Sequence, residues 1–483
     1  MIRNKGGSSM DSKRIKWYTL AFMTFSFVWG FGNVMNGFVY FNGIQVIFSW
    51  ILMFALYFVP YALMVGELGS AFKNSGGGVS SWVLSTTGPK VAYYAGWTYW
   101  ACHVTYIASK SSGGIKALSW AVFRNGETYD SFNTLAVQLV TFGILMVFCY
   151  IASRGLNPLK KLTTLAGTSM FVMSILYIIM MFAAPAINPG ADFIHMQFNR
   201  QTLIPNFDVK YFTNLSILVF AIGGCEKISP YVNKVDNPSK GFPKAMITLA
   251  IMVVACAILG TISMGMMFDP AVINESKESF ASYNSNGSYW AFQKLGQYYH
   301  VGDTFMIIYA ICNAVGQFST LVLSIDAPLR ILLDNEDARE FVPSVLLKQN
   351  DKGAYVNGIK MVAVLSGAII LIQSFGSGAA AVLKQLNKLN SVCMPMRYLW
   401  VFFAYIMLRK ARDKFQPEYR FVKNQGVALF FGGWCFLVTA ACCIMGMYDE
   451  DPFTMALNVV TPVILTALGL ILPILAKREK EKK

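Results

Sequence analysis

The sequence predicts an all-α polytopic membrane protein with twelve transmembrane helices, and three observations carry this prediction. Of the 483 residues, 55% are hydrophobic and 13% are charged. A soluble domain carries about 25% charged residues. Apolar runs of about 20 residues, the length that crosses a bilayer as a helix, recur along the whole chain. Basic residues also concentrate in alternate loops between these runs.

The apolar runs define twelve predicted spans, which are numbered in chain order. Spans 1 to 12 cover residues 17–41, 44–66, 91–121, 131–153, 159–184, 211–235, 243–268, 302–330, 355–375, 379–408, 425–447 and 454–476. The predicted organisation is a tail of residues 1–16, a membrane domain of residues 17–476 and a basic tail of residues 477–483. The loops between spans are short, so we expect no separate soluble domain.

The net charge of +15 arises from basic residues that concentrate on one side of the predicted membrane domain. If the amino terminus is cytoplasmic, 29 basic residues lie inside and five lie outside, namely Arg124, Arg200, Lys210, Lys277 and Lys294. This distribution follows the positive-inside rule and predicts a cell-membrane protein with both termini in the cytoplasm. We therefore expect a lipid bilayer as the partner and no nucleic acid; an anionic-lipid or RNA role for the tail KREKEKK is the weaker interpretation. A monomer or a homodimer is expected.

Cysteine and histidine placement predicts no disulfide framework, no metal site and no cofactor. All nine cysteines fall in predicted spans without a CxxC pair. The three histidines are far apart in sequence. Paired histidines, a nucleophile with its base, or clustered carboxylates at the membrane face would indicate an enzyme, and the sequence shows none of them. The prediction is therefore a protein without catalytic residues.

Span 1 contains residues that form helices poorly at the depth where no water is available. In FVWGFGNVMNG, residues 27–37, Gly30, Gly32 and Asn33 interrupt the apolar run. Span 6 reads LSILVFAIGGCEKISPYVNKV, with Gly223 and Gly224 near its middle. Five spans separate the start of one interrupted span from the start of the other, so the two run in opposite senses through the membrane. Corresponding breaks in oppositely oriented halves indicate an inverted-repeat secondary transporter.

The repeats predicted from these breaks comprise spans 1–5, residues 17–184, and spans 6–10, residues 211–408, with spans 11 and 12 appended. A break exposes N–H groups at the start of one half-helix and C=O groups at the end of the other, and these must line a cavity or meet a ligand. Such N–H groups attract a carboxylate, and free carbonyls attract an ammonium group. Two facing breaks therefore suit a zwitterion of the amino-acid type. A lone glycine pair would more often be a close-packing point between helices.

The stretch GGCEKISPYVNKVDNPSKGFPKAM, residues 223–246, resembles the sixth helix and following loop of the amino acid–polyamine–organocation permeases. The Gly–x–Glu break, the Asn–Pro pair and the later Pro are Gly224, Glu226, Asn237, Pro238 and Pro243. Residues 66–100 and 329–354 are similar to two cytoplasmic segments of the same family. Within the family, the sequence looks most like the bacterial glutamate/γ-aminobutyrate antiporter branch. The resemblance implies the five-plus-five (5+5) inverted-repeat fold of the LeuT type and transport of amino acids.

The resemblance also implies a substrate site. Residues expected to hold the substrate carboxylate through backbone N–H groups are Gly30, Phe31, Gly32 and Asn33. Residues expected to offer carbonyls to the amine are Phe220, Ala221 and Ile222, next to Gly223 and Gly224. Phe220 falls where the family has a gating aromatic, and Tyr106 where it has a side-chain contact. Two departures are Lys227 directly after Glu226, and the bulky Phe31 between two glycines.

Charged residues inside spans are expensive and usually face a cavity or a partner. In span 10, Lys384, Asn387, Lys388 and Ser391 share one helix face. Residues considered for gating or charge selectivity are Lys110, Glu226, Lys227, Asp326, Lys384 and Lys388. Snorkelling or pairing with a carboxylate is the competing interpretation for Lys384 and Lys388, and the favoured one for Lys116 and Arg397. Asp326 is expected to anchor an inner gate with Arg330, and Glu226 to have a structural or gating role.

The predicted function is secondary active amino-acid transport by alternating access, through exchange or proton coupling, with a substrate of the glutamate/γ-aminobutyrate kind. A sodium-coupled symporter stays open, because Ser319, Thr320 and Ser324 supply hydroxyls on span 8. A non-transporting amino-acid sensor on the same scaffold also stays open. A major facilitator transporter is disfavoured, because the loop GELGSAFKNSGGG lacks the basic, Asp-containing motif of that class.

Overall fold

The computed structural model describes residues 14–335, 337–375, 379–411 and 413–482, and for residues 337, 338, 375 and 379–384 the backbone alone. Within these ranges nine helical segments are long and apolar enough to cross a membrane, by length and composition. They coincide with spans 2, 4–8 and 10–12. At the other three predicted spans, the helices of spans 1 and 3 are interrupted and that of span 9 has 17 residues. The protein is therefore an all-helical polytopic membrane protein.

The bounds of the helices follow the predicted spans closely. Spans 1 to 5 comprise Trp17–Val28 with Phe31–Tyr40, then Gly43–Ala71, Pro89–Ala101 with His103–Phe123, Thr134–Ser153, and Leu156–Ile187. Spans 6 to 9 comprise Val209–Ile222 with the 3₁₀ segment Cys225–Lys234, then Pro238–Gly265, Thr304–Leu333 and Val356–Ile372. Spans 10 to 12 comprise Ala379–Met396 with Tyr398–Lys410, then Gln425–Gly446, and Pro452–Ala467 with Ile471–Glu481. Helices outside the spans are Val79–Thr86, Glu127–Ser131, Arg200–Leu203, Pro270–Ile273 and Lys277–Tyr298.

Span 1 is broken at two residues with extended backbone, Trp29 and Gly30. The first half ends where the Trp29 N–H donates to the Phe25 carbonyl at 3.0 Å. The second half begins where the Asn33 N–H donates to the Gly30 carbonyl at 2.9 Å. The helix is thus interrupted at the position that the weak helix formers indicate.

Span 6 is broken at Gly223 and Gly224. Gly223 is extended, and Gly224 has a φ of 106°, in the left-handed region that favours glycine. The sequence predicted an α-helical second half; instead Cys225–Lys234 forms a 3₁₀ helix. Pro230 lies inside this segment and supplies no N–H to a helical ladder, which disfavours an α-helix there.

The two broken spans are neighbours in the packed structure. The first half of span 1 packs against spans 5 and 7, and its second half against span 7 and the helix of span 6. The 3₁₀ segment of span 6 packs against spans 1, 2, 7 and 8. Span 8 in turn lies along span 3 and span 5. Both breaks are therefore enclosed by other helices.

A helix lies between spans 7 and 8, where the sequence predicted only a short loop over residues 269–301. This connecting helix, Lys277–Tyr298, begins at Ser276, whose hydroxyl accepts from the Ser279 N–H at 2.9 Å. Its sequence is rich in serine, asparagine and charged residues, so a search for apolar runs passes over it. It packs against the second half of span 1 and against span 8.

A buried ion pair joins spans 2 and 10. Arg409 Nη2 donates to Glu67 Oε2 at 2.8 Å, and the Phe421 N–H donates to the same oxygen at 2.8 Å. Both charged side chains are almost fully buried. We expect Arg409→Leu to destabilise the protein by about 3–5 kcal/mol, because Glu67 is left charged, buried and unpaired.

Thermal unfolding of the detergent-purified protein measures this effect. Glu418→Gln is the matched control, because its partner Lys73 and Glu418 itself are both exposed, and such pairs contribute little. Equal melting temperatures for Arg409→Leu and Glu418→Gln would contradict the assignment of Glu67–Arg409 as a stabilising pair.

Candidate functional site

A direct hydrogen bond joins the two breaks. The Asn33 side-chain amide Nδ2 donates to the Ala221 carbonyl at 3.0 Å. Carbonyls in the last turn of a helix lack an intrahelical partner, so Ala221 is free to accept it. The sequence placed the Asn33 backbone N–H at a carboxylate and the Ala221 carbonyl at an amine. In the structure this carbonyl accepts from the Asn33 side chain, and the Asn33 N–H donates to the Gly30 carbonyl.

Open space lies beside Gly32 at the start of the second half of span 1. A side-chain carbon added at Gly32 would meet no atom within 4 Å. The N–H groups of Phe31 and Gly32 belong to the first turn of a helix, where N–H groups lack an intrahelical acceptor. The Phe31 ring points away into an aromatic cluster, 4.6 Å from Tyr177 and 4.9 Å from Phe292 between ring centroids. The bulky residue between the glycines therefore packs against span 5 and the connecting helix.

The break of span 6 lies against aromatic residues of spans 2 and 10. A side-chain carbon at Gly223 would come within 2.3 Å of the Tyr398 ring. The Gly224 N–H donates to the Tyr61 hydroxyl at 3.4 Å. The rings of Tyr61 and Tyr398 are 5.6 Å apart. These contacts leave room for glycine alone at position 223.

Glu226 is fully buried directly after the break and is surrounded by donors. The Tyr99 hydroxyl donates to Oε1 at 2.7 Å, and the Tyr61 hydroxyl donates to Oε2. Arg397 Nε lies 3.3 Å from Oε1, and both side chains are at most 3% exposed. Glu226 therefore ties spans 2, 3 and 10 to the 3₁₀ segment. The structural or gating role expected from its sequence position stays a prediction.

Arg397 and His103 complete this network and were not among the predicted site residues. Arg397 Nη1 contacts His103 Nε2, and His103 Nδ1 lies 2.8 Å from the Tyr99 carbonyl. Since guanidinium has no acceptor, Nε2 accepts from Arg397 and Nδ1 carries the proton donated to Tyr99. The intramembrane position of Arg397 was visible in the sequence. Its partners lie on spans 3 and 6, which no local pattern specifies.

Lys110 and Lys227 converge on Tyr106. Lys227 Nζ lies 4.8 Å and Lys110 Nζ 5.0 Å from the centre of the Tyr106 ring. Tyr106 contacts Phe220 edge-on at 6.2 Å. Four predicted site residues thus lie together beside the break of span 6. Among the described residues of this region, the cationic side chains Lys110, Lys227 and Arg397 accompany the carboxylate of Glu226.

Lys227 also contacts a set of hydroxyls between spans 1 and 8. Its ammonium donates to Ser324 at 3.0 Å. Ser324 donates to the Thr320 carbonyl at 2.6 Å, and Thr320 donates to the Ser26 carbonyl at 3.1 Å. Ser26 and Ser319 hydroxyls are 3.3 Å apart. In the described residues no group of three histidine, cysteine, aspartate or glutamate side chains is placed to hold a metal ion.

Asp326 forms a separate cluster on span 8. It accepts from Arg330 Nε at 2.7 Å and from the Tyr231 hydroxyl at 2.5 Å. The cluster therefore joins span 8 to the 3₁₀ segment of span 6. The pairing of Asp326 with Arg330 is the one that the sequence suggested for an inner gate.

Lys388, on the basic face of span 10, pairs with a carboxylate near the end of span 11. Lys388 Nζ lies 3.5 Å from Asp449, and each side chain is about one-quarter exposed. This is the carboxylate pairing considered as the alternative for Lys388. The side chain of Lys384 lies outside the described residues. Lys116 donates to the Ser285 carbonyl of the connecting helix at 3.0 Å.

The chain is similar to known transporters over nearly its whole length. The amino acid permease family matches residues 15–468. The aspartate/glutamate permease AcaP of Lactococcus lactis subsp. cremoris is 48% identical over 487 residues, covering 98% of this chain and 97% of that protein. The inner membrane transporter YjeM of Escherichia coli is 23% identical over 434 residues, 84% of each chain.

The antiporter branch expected from the sequence is a distant relation. The glutamate/gamma-aminobutyrate antiporter of Lactococcus lactis subsp. lactis is 23% identical over 384 residues, covering 78% of this chain and 72% of that protein. This identity is half that shared with the aspartate/glutamate permease.

Proposed function

Because the chain belongs to the amino acid permease family, we propose that it is a secondary active transporter of acidic amino acids, aspartate and glutamate. It is an amino acid transporter and not an enzyme. The observation that carries the proposal is the excess of cationic groups around the paired breaks. The name of the 48% identical relative, an aspartate/glutamate permease, supports the same substrate class.

The region around the breaks carries a net positive charge that a ligand can offset. Lys110 and Lys227 lie over the Tyr106 ring, and Arg397 pairs with the carboxylate of Glu226, in a region enclosed by helices. Buried charges are costly unless they are paired. A neutral zwitterion brings no net charge, whereas aspartate or glutamate brings one additional carboxylate. The acidic substrate therefore reduces the positive excess when it binds.

The breaks suggest how the substrate lies. Its α-carboxylate meets the N–H groups of Phe31 and Gly32, beside the open space at Gly32. Its ammonium group meets the carbonyls of Phe220 and Ile222, since Ala221 is bonded to Asn33. Its side-chain carboxylate points towards Lys227 and Lys110. Gly30 and Gly32 let the backbone approach the ligand closely, whereas Gly223 and Gly224 make room for Tyr398 and Arg397.

We also propose the arrangement of the whole membrane domain. Twelve spans form a 5+5 inverted repeat of residues 17–184 and 211–408 with both termini in the cytoplasm, in agreement with the basic loops. Alternating access moves the broken spans relative to their neighbours. The Asp326–Arg330–Tyr231 cluster, which joins span 8 to span 6, then acts as a gate.

The position of Lys227 favours exchange or proton coupling over sodium symport. Its ammonium already donates to Ser324 within the hydroxyls of spans 1 and 8 that a sodium ion would use. A second cation there would be repelled at close range. Ser26, Thr320 and Ser324 are also hydrogen-bonded to protein groups.

Uptake into proteoliposomes tests the proposal. With a panel of labelled amino acids inside or outside the vesicles, aspartate and glutamate are expected to be transported and to compete with each other. Transport is expected without sodium. Flux of neutral or basic amino acids alone would overturn the substrate class. Binding of aspartate without any flux would overturn transport in favour of a sensor.

A further inference from the structure

We propose that His103 binds the proton that crosses the membrane together with an acidic substrate, and that Arg397 couples this proton to substrate binding. The inference rests on the proposed function and adds a proton site to it. Neutral His103 accepts a hydrogen bond from Arg397, so the state of the imidazole decides where the guanidinium is held.

The contacts of His103 define its protonation state in this conformation. Nδ1 donates to the Tyr99 carbonyl at 2.8 Å, which leaves Nε2 with a lone pair facing Arg397. His103 is buried, and its ring stacks on that of Tyr99 at 5.3 Å. Arg397 in turn lies 3.3 Å from Glu226 and donates to the Tyr398 hydroxyl at 3.4 Å. A neutral imidazole is thus required for the observed bond.

Protonation of Nε2 reverses this contact. An imidazolium is a donor at both nitrogens and carries a positive charge, so it cannot accept from Arg397 and repels it. The guanidinium is then released from His103 and joins Lys227 and Lys110 as a partner for the side-chain carboxylate of the substrate. Proton and substrate therefore favour each other's binding, and the linkage is reciprocal.

One proton is bound and one proton is released in each transport cycle. One N–H bond forms at Nε2 with a proton from water on the side to which the site is open. The hydrogen bond from Arg397 Nη1 is lost at the same time. On the other side the substrate leaves, the proton returns to water, and Arg397 pairs again with neutral His103. One acidic amino acid and one proton then cross as a neutral pair.

Other ionisable groups lie around the same imidazole. On its own span these are Tyr99, whose ring stacks on it, and Tyr106, at 6.0 Å between ring centroids. Span 10 contributes Arg397, and the 3₁₀ segment of span 6 contributes Lys227 directly and Glu226 behind Arg397. These are the ionisable neighbours of His103 among the described residues. Among them imidazole is the side chain that ordinarily changes its charge near neutral pH.

The first test measures aspartate binding to the purified protein between about pH 5 and 8. Since the protonated form binds substrate better, affinity is expected to rise as pH falls, by up to about tenfold per unit. In His103→Gln, an amide that stays neutral, we expect this dependence to fall below about twofold. Accumulation of aspartate driven by a proton gradient is expected to be lost, while aspartate–aspartate exchange persists.

The other two histidines provide matched controls. His195 and His300 are exposed, and His300 has a φ of 55°, which asparagine tolerates. His195→Gln and His300→Asn are therefore expected to keep the pH dependence of the wild type. The double variant leaves His103 as the sole histidine. NMR of this variant with labelled histidine is expected to show imidazole protonation when aspartate is added, a readout that does not require His103→Gln to fold.

Three results would overturn the inference. They are an unchanged pH dependence in His103→Gln, an imidazole that stays neutral with aspartate bound, and a dependence lost in Glu226→Gln but kept in His103→Gln. Failure of wild-type protein to bind acidic amino acids at any pH would instead overturn the proposed function. A loss of fold in His103→Gln leaves the NMR measurement to decide.

Discussion

Replacing Gly223 with alanine is expected to reduce aspartate uptake by at least about 100-fold, since a displacement near 1 Å at a binding site has that effect. The added carbon would lie 2.2 Å and 2.3 Å from two carbons of the Tyr398 ring and 2.3 Å from its hydroxyl oxygen. Such contacts force either the break or the ring to move. Tyr398 also contacts Arg397 and Tyr61, so the movement reaches the Glu226 network.

Initial uptake rates in proteoliposomes measure this effect, with insertion checked by size-exclusion chromatography of the purified variant. Gly143→Ala is the matched control, because Gly143 lies on span 4 and an added carbon there meets nothing within 4 Å. It is expected to transport at the wild-type rate. Full activity in Gly223→Ala would mean that the geometry of the second break does not limit transport.

Replacing Lys227 with methionine is expected to weaken aspartate and glutamate binding by about 10- to 100-fold. A hydrogen bond to a charged group contributes about 1.5–3 kcal/mol, and each 1.4 kcal/mol is tenfold in affinity. Methionine keeps an apolar side chain but removes the ammonium that lies beside the rings of Tyr106 and Phe27. Neutral amino acids are expected to compete better in the variant than in the wild type.

Competition binding with labelled aspartate measures both changes. Lys294→Met is the control. This partly buried lysine lies on the connecting helix, and its ammonium donates to the Met267 carbonyl after span 7. Its preference for acidic substrates is expected to be that of the wild type. If Lys227→Met binds aspartate as tightly as Lys294→Met does, the charge argument for an acidic substrate fails.

The breaks were predictable because their cause is local. Glycine and asparagine weaken a helix wherever they occur, so Gly30, Gly32, Gly223 and Gly224 mark interruptions without any knowledge of neighbours. Basic residues in alternate loops are likewise read directly from the chain. The Asp326–Arg330 pair is separated by one helical turn and was visible for the same reason.

Partners from distant parts of the chain were not predictable. Arg397 contacts His103 across 294 positions, and Asn33 contacts Ala221 across 188. The hydrogen-bonding capacity of each side chain was known, but the helix that would satisfy it was not. For this reason the sequence grouped Lys388 with the site, although Asp449 pairs with it, and left out Arg397.

The connecting helix shows a different limit. Hydropathy reports helices that face lipid, and Lys277–Tyr298 is too polar for that signal. Its contact with Phe31 explains why a bulky residue stands between Gly30 and Gly32. The bulky residue is therefore accommodated by packing against this helix and span 5.

A cryo-EM structure of the protein with saturating aspartate tests the central claim most directly. We expect density for the ligand between residues 30–33 and 220–224, with its α-carboxylate at the N–H groups of Phe31 and Gly32 and its second carboxylate towards Lys227. Aspartate bound at another place, with both segments wound into continuous helices, would contradict the account.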